Sequence, residues 1–164
     1  MTASGPPDRK VIVSCDGAAR GNPGPAGVGA VVTTAQGEVL AEVVEGIGVA
    51  TNNVAEYRAA IAGLDRARDL GATDVLLRSD SHLLIEQLAG RYRVKNPTLQ
   101  RLNQEARKLL AEFPNVRLEH VPREQNKHAD ELANRGVDEW LAGEGAGWEP
   151  EPPSAKLFES DDPS

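Results

Sequence analysis

The spacing of apolar and polar residues changes repeatedly between residues 10 and 141, and each change predicts a new element of secondary structure. Alternation at every second residue, or a short apolar run between turn residues, predicts strands at 10–16, 27–34, 38–48, 74–79 and 116–121. Apolar residues three and four positions apart predict helices at 53–69, 81–89, 97–113 and 127–141. The order βββαβααβα predicts an α/β protein whose mixed sheet has helices packed on it.

Two segments flank this patterned region and differ from it in composition. We expect residues 1–8 to form a disordered leader. Residues 143–164 are rich in Pro, Gly and acidic residues and cannot bury enough apolar surface to order themselves. We therefore expect one domain at 9–142, followed by an acidic tail or by a linker that leads to a fused second domain.

Taken over the whole chain, the net charge of −7 argues against a nucleic-acid partner, because phosphate contacts require Lys and Arg. Most of this charge lies in the tail, where six acidic residues and one lysine contribute −5 and leave −2 on residues 1–142. Two bound divalent cations would turn that −2 into +2. The charge of the predicted domain is therefore compatible with a nucleic-acid partner.

Composition also limits which cellular compartment and which class of protein the sequence is compatible with. No apolar run approaches the roughly 20 residues that a membrane-spanning helix needs, and the first residues lack the apolar core of a signal peptide. The single cysteine, Cys15, excludes an internal disulfide and a Cys-rich zinc site. We expect a cytoplasmic monomer without a membrane partner.

Four carboxylates stand where predicted elements begin or end. Asp16 closes the first strand, Glu56 lies in the first turn of a helix, Asp80 follows the fourth strand and Asp130 opens the last helix. If these ends converge, protons or cations must neutralise the four like charges. Clustered carboxylate oxygens favour Mg²⁺ or Mn²⁺, and a pair of such ions suits phosphodiester hydrolysis.

Each carboxylate also has an ordinary structural explanation. Asp16 and Gly17 are typical of a turn at the end of a strand. Asp80 can be the N-cap of the helix that follows it. Glu56 and Asp130 are acidic residues of the kind that the positive end of a helix dipole favours. The site hypothesis therefore depends on whether the four side chains meet.

Four segments, read together, resemble the motifs of type 1 ribonuclease H. They occur in the family's order between residues 10 and 141, and they are Asp16–Gly27, Thr51–Glu56, Ser79–Ser81 and His128–Ala133. The resemblance is to the bacterial form that lacks a long basic protrusion. It implies a ribonuclease H fold, with a five-stranded mixed sheet, strands 1–3 antiparallel and helices on both faces. It also implies an endonuclease that hydrolyses the RNA strand of RNA–DNA hybrids.

The resemblance also implies a metal-binding role for each carboxylate. Asp16 and Asp130 would bind the ion that activates water, and Asp16, Glu56 and Asp80 would bind the ion at the leaving 3′-oxygen. The site would hold two ions, Mg²⁺ or Mn²⁺, when substrate is bound. The products would carry 5′-phosphate and 3′-hydroxyl ends.

Substrate contacts follow from the resemblance as well. Asn22, Asn52 and Asn53 match residues that reach into the minor groove, where RNA displays its 2′-hydroxyls. Thr51 matches a residue that helps to hold a phosphate of the DNA strand, and His82 occupies a position that contacts the hybrid. Asn22 and Asn52 alternatively serve only as turn or cap residues.

Two loops depart from the family's pattern. Only Arg91, Arg93 and Lys95 stand where many members carry a long basic segment, and they either bind the hybrid or form a solvated loop. The loop 122–126 is about four residues shorter than in members with a mobile histidine. Arg123 or Glu124 can replace that histidine, whereas His120 and His128 are poorly placed by spacing, so the role stays unassigned.

The main alternative function is a catalytically inactive module that binds hybrids. Such a module would usually have lost one acidic residue, and all four are present. A transposase or resolvase with the same fold would need other motifs and a large DNA-binding region. An NTPase is disfavoured because no Gly-rich run ends in Lys-Ser or Lys-Thr.

Overall fold

The computed structural model describes residues 9–150, so the predicted leader and residues 151–164 of the predicted tail lie outside it. Its elements follow the predicted order, with ends that differ from the predicted ones by at most three residues. They are β1 Lys10–Ala19, β2 Gly24–Thr33, β3 Val39–Ala50, α1 Asn52–Asp69, β4 Asp74–Ser79, α2 His82–Leu88, α3 Pro97–Leu110, β5 Asn115–His120 and α4 Lys127–Ala142. A single 3₁₀ turn, Arg123–Gln125, precedes α4.

The strands form one five-stranded mixed sheet in the order β3-β2-β1-β4-β5. Strands β1, β2 and β3 are antiparallel, whereas β4 runs parallel to both β1 and β5. This arrangement confirms the predicted sheet. Because Cys15 pairs with Ser79 in the parallel β1–β4 ladder, the next residues, Asp16 and Asp80, emerge at the same edge of the sheet.

Helices α1 and α4 lie on opposite faces of this sheet, as expected. Along β2, Val28, Ala30 and Val32 belong to the apolar core that includes α1 and α3. The alternate residues Gly27 and Gly29 face α4 instead, since neighbouring side chains of a strand point to opposite faces. A Cβ atom at either glycine would lie 2.4 Å from a backbone oxygen of α4, so only glycine permits this close packing.

Two predictions about the first strands are wrong. Strand β1 continues three residues beyond Asp16 and pairs with β2 as far as Ala19 and Ala26. Strand β2 begins at Gly24, three residues before its predicted start at residue 27. The Gly and Pro residues there do not form a turn, because a strand of small residues lets α4 pack closely on the sheet and completes the ladder with β1.

The residues that follow α4 belong to the predicted tail. Residues 143–148 continue in hydrogen-bonded turns, and Gly145 N donates to the carbonyl oxygen of Trp140 at 2.7 Å. Gly145 is buried against the Trp140 ring. Whether a tail or a linker follows residue 142 stays a prediction. Among the helices between residues 9 and 150, none combines the length and apolar character that a membrane crossing requires.

Candidate active site

Three of the four predicted carboxylates meet at the edge of the sheet. Asp16 lies within β1, Glu56 in α1 and Asp80 directly after β4. One carboxylate oxygen of each lies within 4.8 Å of the others. Asp16 and Glu56 are almost fully buried, at 5% and 6% exposure, whereas Asp80 is partly exposed. The cluster therefore opens to solvent on the side of Asp80.

The fourth carboxylate, Asp130, lies in the first turn of α4 beside this cluster. Its carboxylate lies close enough to that of Asp16 to help raise the pKa of Asp16. Asn134, one turn further along α4, donates to the Asp130 side chain at 3.3 Å. All four carboxylates line one cavity of about 350 Å³, together with Arg20, Asn52, Arg123 and Asn134, among others.

Close backbone packing places Glu56 beside β1. A Cβ atom at Gly17 would lie 2.3 Å from the carbonyl carbon of Ala55, so α1 can reach the strand only because residue 17 has no side chain. The Gly17 N–H then donates to Glu56 Oε1 at 3.0 Å. The residue after Asp16 thus orients the carboxylate of Glu56.

A buried asparagine holds the start of α4 against the same strand. Asn126 Nδ2 donates to the carbonyl oxygen of Cys15 at 2.9 Å, and the Asp130 N–H donates to the carbonyl oxygen of Asn126 at 3.1 Å. These two bonds link the residue before Asp16 to the helical turn that bears Asp130. Asn126 and Asn134 were not predicted from the sequence, although each lies four residues from Asp130, the spacing of side chains on one helix face.

The electrostatics of the cluster require neutralisation. Burial, followed by the charges of Glu56 and Asp80, raises the pKa of Asp16 to about 9. Burial, followed by the charge of Asp80, raises the pKa of Glu56 to about 8, although the Gly17 N–H and Arg123 partly offset the rise. Several carboxylate oxygens in a small polar cavity are the donor set that Mg²⁺ and Mn²⁺ prefer, so these residues fit divalent cations.

The structural alternatives for three of the carboxylates fail. The N-cap of α2 is Ser81, whose Oγ accepts a hydrogen bond from Leu84 N at 3.1 Å, so Asp80 is not the cap. Glu56 lies beyond the first turn of α1, contrary to the prediction, because the helix begins at Asn52. Asp16 lies inside a strand rather than in a turn. Only Asp130 occupies the first turn of its helix, as predicted.

The four residues predicted to contact the minor groove or a phosphate lie where the loop after β1 meets the start of α1. Asn22 Oδ1 accepts a hydrogen bond from Asn52 N at 3.0 Å, and Thr51 caps α1 by accepting from Val54 N at 3.2 Å. Asn52 also lines the carboxylate cavity, and Asn53 follows it in the first turn of α1. Asn22 and Thr51 thus have structural roles, and both adjoin Asn52, which lines the cavity; their contact with substrate stays a prediction.

The remaining predicted contacts lie around α2. His82 is exposed, and its ring lies edge-on to the rings of Tyr92 and His120, with centroids 5.6 and 5.3 Å away. Arg91 makes a two-bond ion pair with Glu86, at 2.8 and 2.7 Å. Arg93 and Lys95 are exposed and form no ion pair within the described part of the chain.

Arg123 and Glu124 were predicted as possible replacements for the mobile histidine of other family members, and the structure brings Arg123 to the carboxylates. Arg123 lines the cavity and, by its charge, lowers the pKa of Glu56, whereas Glu124 is not among the lining residues. His128 contacts Glu42, with 2.6 Å between Nε2 and Oε2. His120 lies beside His82, outside the cavity lining.

Comparison with known proteins accounts for this arrangement. Residues 14–136 match a family model described as "Reverse transcriptase-like". Ribonuclease HI of Halobacterium salinarum is 47% identical over 141 residues, which cover 85% of this chain and 71% of the relative. The chain belongs to the type 1 ribonuclease H family.

A second relative is much longer than this ribonuclease H chain. The bifunctional protein Rv2228c of Mycobacterium tuberculosis is 48% identical over 156 residues, which cover 94% of this chain but only 42% of the relative. The chain thus spans less than half the length of that relative. The solved N-terminal RNase H domain of Rv2228c is 53% identical, with a TM-score of 0.77 over 79% of this chain and 99% of that domain.

A third comparison concerns a ribonuclease H solved with nucleic acid. LC11-RNase H1 in complex with an RNA/DNA hybrid is 43% identical to this chain, with a TM-score of 0.76. The match covers 80% of this chain and 99% of that one. The family and the fold inferred from the sequence motifs are therefore confirmed.

Proposed function

We propose that this protein is an endoribonuclease that hydrolyses the RNA strand of RNA–DNA hybrids and leaves 5′-phosphate and 3′-hydroxyl ends. The observation that supports this most strongly is the meeting of Asp16, Glu56 and Asp80 within 4.8 Å, with Asp130 lining the same cavity. A module that only binds hybrids has no need for buried like charges whose repulsion costs stability. The solved complex of a family member with an RNA/DNA hybrid supports the choice of substrate.

The four carboxylates are the residues that would hold the metal. Asp16 and Asp130 would share one ion, and Asp16, Glu56 and Asp80 the other. Two Mg²⁺ or Mn²⁺ ions held there would supply Lewis acidity and positive charge at the scissile phosphate.

The chain's own residues position the carboxylates and the phosphate. The Gly17 N–H fixes one oxygen of Glu56, and Asn134 fixes one oxygen of Asp130. Arg123 adds a positive charge to the cavity and attracts the anionic substrate toward the carboxylates.

The polar side chains where the loop after β1 meets the start of α1 would distinguish RNA from DNA. Asn22, Asn52 and Asn53 would reach the minor groove and hydrogen-bond to 2′-hydroxyls, which DNA lacks. Thr51 would contact a phosphate of the DNA strand. The hydrogen bond from Asn52 N to Asn22 Oδ1 holds the first two of these residues in one unit and reduces the entropic cost of binding.

The exposed groups around α2 would hold the hybrid at a second place. His82 would contact the strand beside Asp80, and Arg93 and Lys95 would contact phosphates. Arg91 contributes less free charge than its position in the sequence indicates, because Glu86 pairs with it. We also propose that residues 143–164 form an acidic tail or a linker to a further domain, and the name of the long mycobacterial relative, a bifunctional protein, favours the linker. We propose in addition that the protein is a cytoplasmic monomer.

A substrate panel tests the proposed function. Labelled RNA–DNA hybrid, double-stranded RNA, double-stranded DNA and a duplex with a single ribonucleotide are each incubated with Mg²⁺ and with Mn²⁺. We expect cleavage of the RNA in the hybrid, with products that a phosphatase alters at the 5′ end and a polymerase extends at the 3′ end. Binding of the hybrid without any cleavage under both metals would instead support the inactive module.

A further inference from the structure

A second cavity, of about 420 Å³, lies between the end of α2, the segment 90–94 and α3. Its lining includes two arginines, Arg93 and Arg107, and no acidic residue. Most of its other lining side chains are neutral and polar. The cavity therefore has a net positive charge, unlike the carboxylate cavity.

The charges of these two arginines are available to a ligand. Arg93 and Arg107 are exposed, and neither forms an ion pair within residues 9–150. Arg20 and Arg91, by contrast, are paired with Asp138 and Glu86. A guanidinium group without a carboxylate partner can give two parallel hydrogen bonds to a phosphate group.

The floor of the cavity is a buried network of hydrogen bonds. The Tyr57 hydroxyl donates to Gln87 Oε1 at 2.7 Å, and Asn103 Nδ2 donates to the Tyr57 hydroxyl oxygen at 3.1 Å. Gln87 Nε2 in turn donates to the carbonyl oxygen of Arg93 at 3.1 Å. The backbone at Arg93 is thus fixed before a ligand arrives, which lowers the entropic cost of binding.

This cavity is a short distance from the active site. Tyr92, which lines it, has its ring 5.6 Å from the ring of His82, two residues after Asp80. Helix α2, which separates the two sites, has seven residues and is therefore about 10 Å long. In addition, Tyr57 of the network directly follows Glu56 in α1. A nucleic-acid strand that leaves the carboxylates along α2 would reach the cavity.

We propose that this cavity binds a phosphodiester group of the hybrid's backbone, away from the scissile bond, and that Arg107 is one of its two charged ligands together with Arg93. This inference rests on the proposed function. Arg107 replaces, from α3, part of the positive charge that a long basic segment would supply. It contacts a phosphate and no base, so it contributes affinity without sequence preference.

The test compares two arginines of the same helix. Arg107→Gln removes the proposed ligand, and Arg101→Gln is the matched control, because Arg101 is also exposed on α3 but does not line the cavity. Hybrid binding is measured with Ca²⁺ in place of Mg²⁺, to prevent cleavage, across a series of salt concentrations. One lost phosphate contact should lower the slope of log affinity against log salt by about 0.9 in Arg107→Gln, and Arg101→Gln should leave it unchanged.

Two further measurements make the outcome decisive. Melting temperatures show that both variants fold, and Arg107→Gln should raise the hybrid concentration needed for half-maximal cleavage, whereas Arg101→Gln should leave it unchanged. Titration with inorganic phosphate distinguishes a site for free anions. Phosphate binding that Arg107→Gln abolishes, without any change in the salt slope for hybrid, would overturn the proposal.

The remaining outcomes separate this inference from the proposed function. Equal losses of slope in Arg107→Gln and Arg101→Gln would show a general effect of charge and contradict the cavity assignment. Normal cleavage by the wild type with an unchanged slope in Arg107→Gln would contradict this inference alone. Absence of hybrid cleavage by the wild type would contradict the proposed function and, with it, this inference.

Discussion

The metal-free protein should lose stability as the pH rises through the neutral range. The folded-state pKa values of Asp16 and Glu56, about 9 and about 8, lie far above the ordinary values of 3.8 and 4.5 that apply to the unfolded chain. Between about pH 4 and pH 8, the folded state thus holds protons that the unfolded chain has released. Stability falls with rising pH wherever the folded state binds more protons, so the loss begins near pH 4 and ends near pH 8–9.

The size of the effect follows from the number of protons. Each proton held only by the folded state lowers the free energy of unfolding by about 1.4 kcal/mol per pH unit. From pH 5.5 to 7.5, two protons correspond to a loss of about 5 kcal/mol in the wild type. Asp16→Asn removes one titrating group, so the variant should lose about half as much and be the more stable protein at pH 7.5.

Urea unfolding in EDTA at pH 5.5, 6.5 and 7.5 measures this difference directly. The two proteins differ only at residue 16, so the contributions of all other groups largely cancel in the comparison between the wild type and Asp16→Asn. Saturating Mg²⁺ should remove most of the pH dependence, since bound cations replace the protons. A wild type whose stability is flat or rises with pH relative to Asp16→Asn would refute the picture of buried, protonated carboxylates.

Three further predictions follow from the fold and the charges. Mg²⁺ at about 100 times its Kd should stabilise the wild type by about 2.7 kcal/mol, and the double variant Asp16→Asn, Asp80→Asn should lose most of that stabilisation. An equal shift of both proteins in a calorimetric scan would show that the ions bind elsewhere. Gly17→Ala should lower the free energy of unfolding by about 1–3 kcal/mol and slow cleavage, because the new Cβ meets the backbone of α1 at 2.3 Å; wild-type values for both would contradict the close contact. Deletion of residues 151–164, with four acidic residues and one lysine, should strengthen hybrid binding mainly at low salt, where the Debye length is about 30 Å at 0.01 M; a salt-independent loss of binding would contradict the electrostatic argument.

The order and type of the elements were predictable because each apolar pattern is long and regular. The apolar patterns of the helix that bears Asp130 and of the strand before Asp80, for example, predict the elements that the structure contains. The start of β2 was not predictable from local sequence. Gly24–Gly27 is typical of a turn, and only the approach of α4 to Gly27 and Gly29 explains why small residues form a strand there.

The candidate site shows the same division. The four carboxylates could be selected from the sequence because each lies near the end of a predicted element and in a family motif. The partners that orient them could not, because Gly17, Asn126 and Asn134 act through contacts between distant segments. Likewise, the pairing of Arg91 with Glu86, which leaves Arg93 and Arg107 as the free cations of the second cavity, depends on how the chain turns after α2.

The most direct test of the central claim is the cleavage of an RNA–DNA hybrid by two variants of β4 and its flanking residue. Asp80→Asn changes a carboxylate of the cluster, and Asp74→Asn makes the same chemical change at the opposite end of the strand, where Asp74 pairs with Lys10 and Asn115 in the sheet. The rate with saturating Mg²⁺ and hybrid labelled in the RNA strand is measured for both. We expect cleavage to fall at least 100-fold, or about 2.7 kcal/mol in activation free energy, in Asp80→Asn and to stay within about twofold of wild type in Asp74→Asn. Near-normal cleavage by Asp80→Asn, with the protein folded, would contradict the assignment of these carboxylates to the active site.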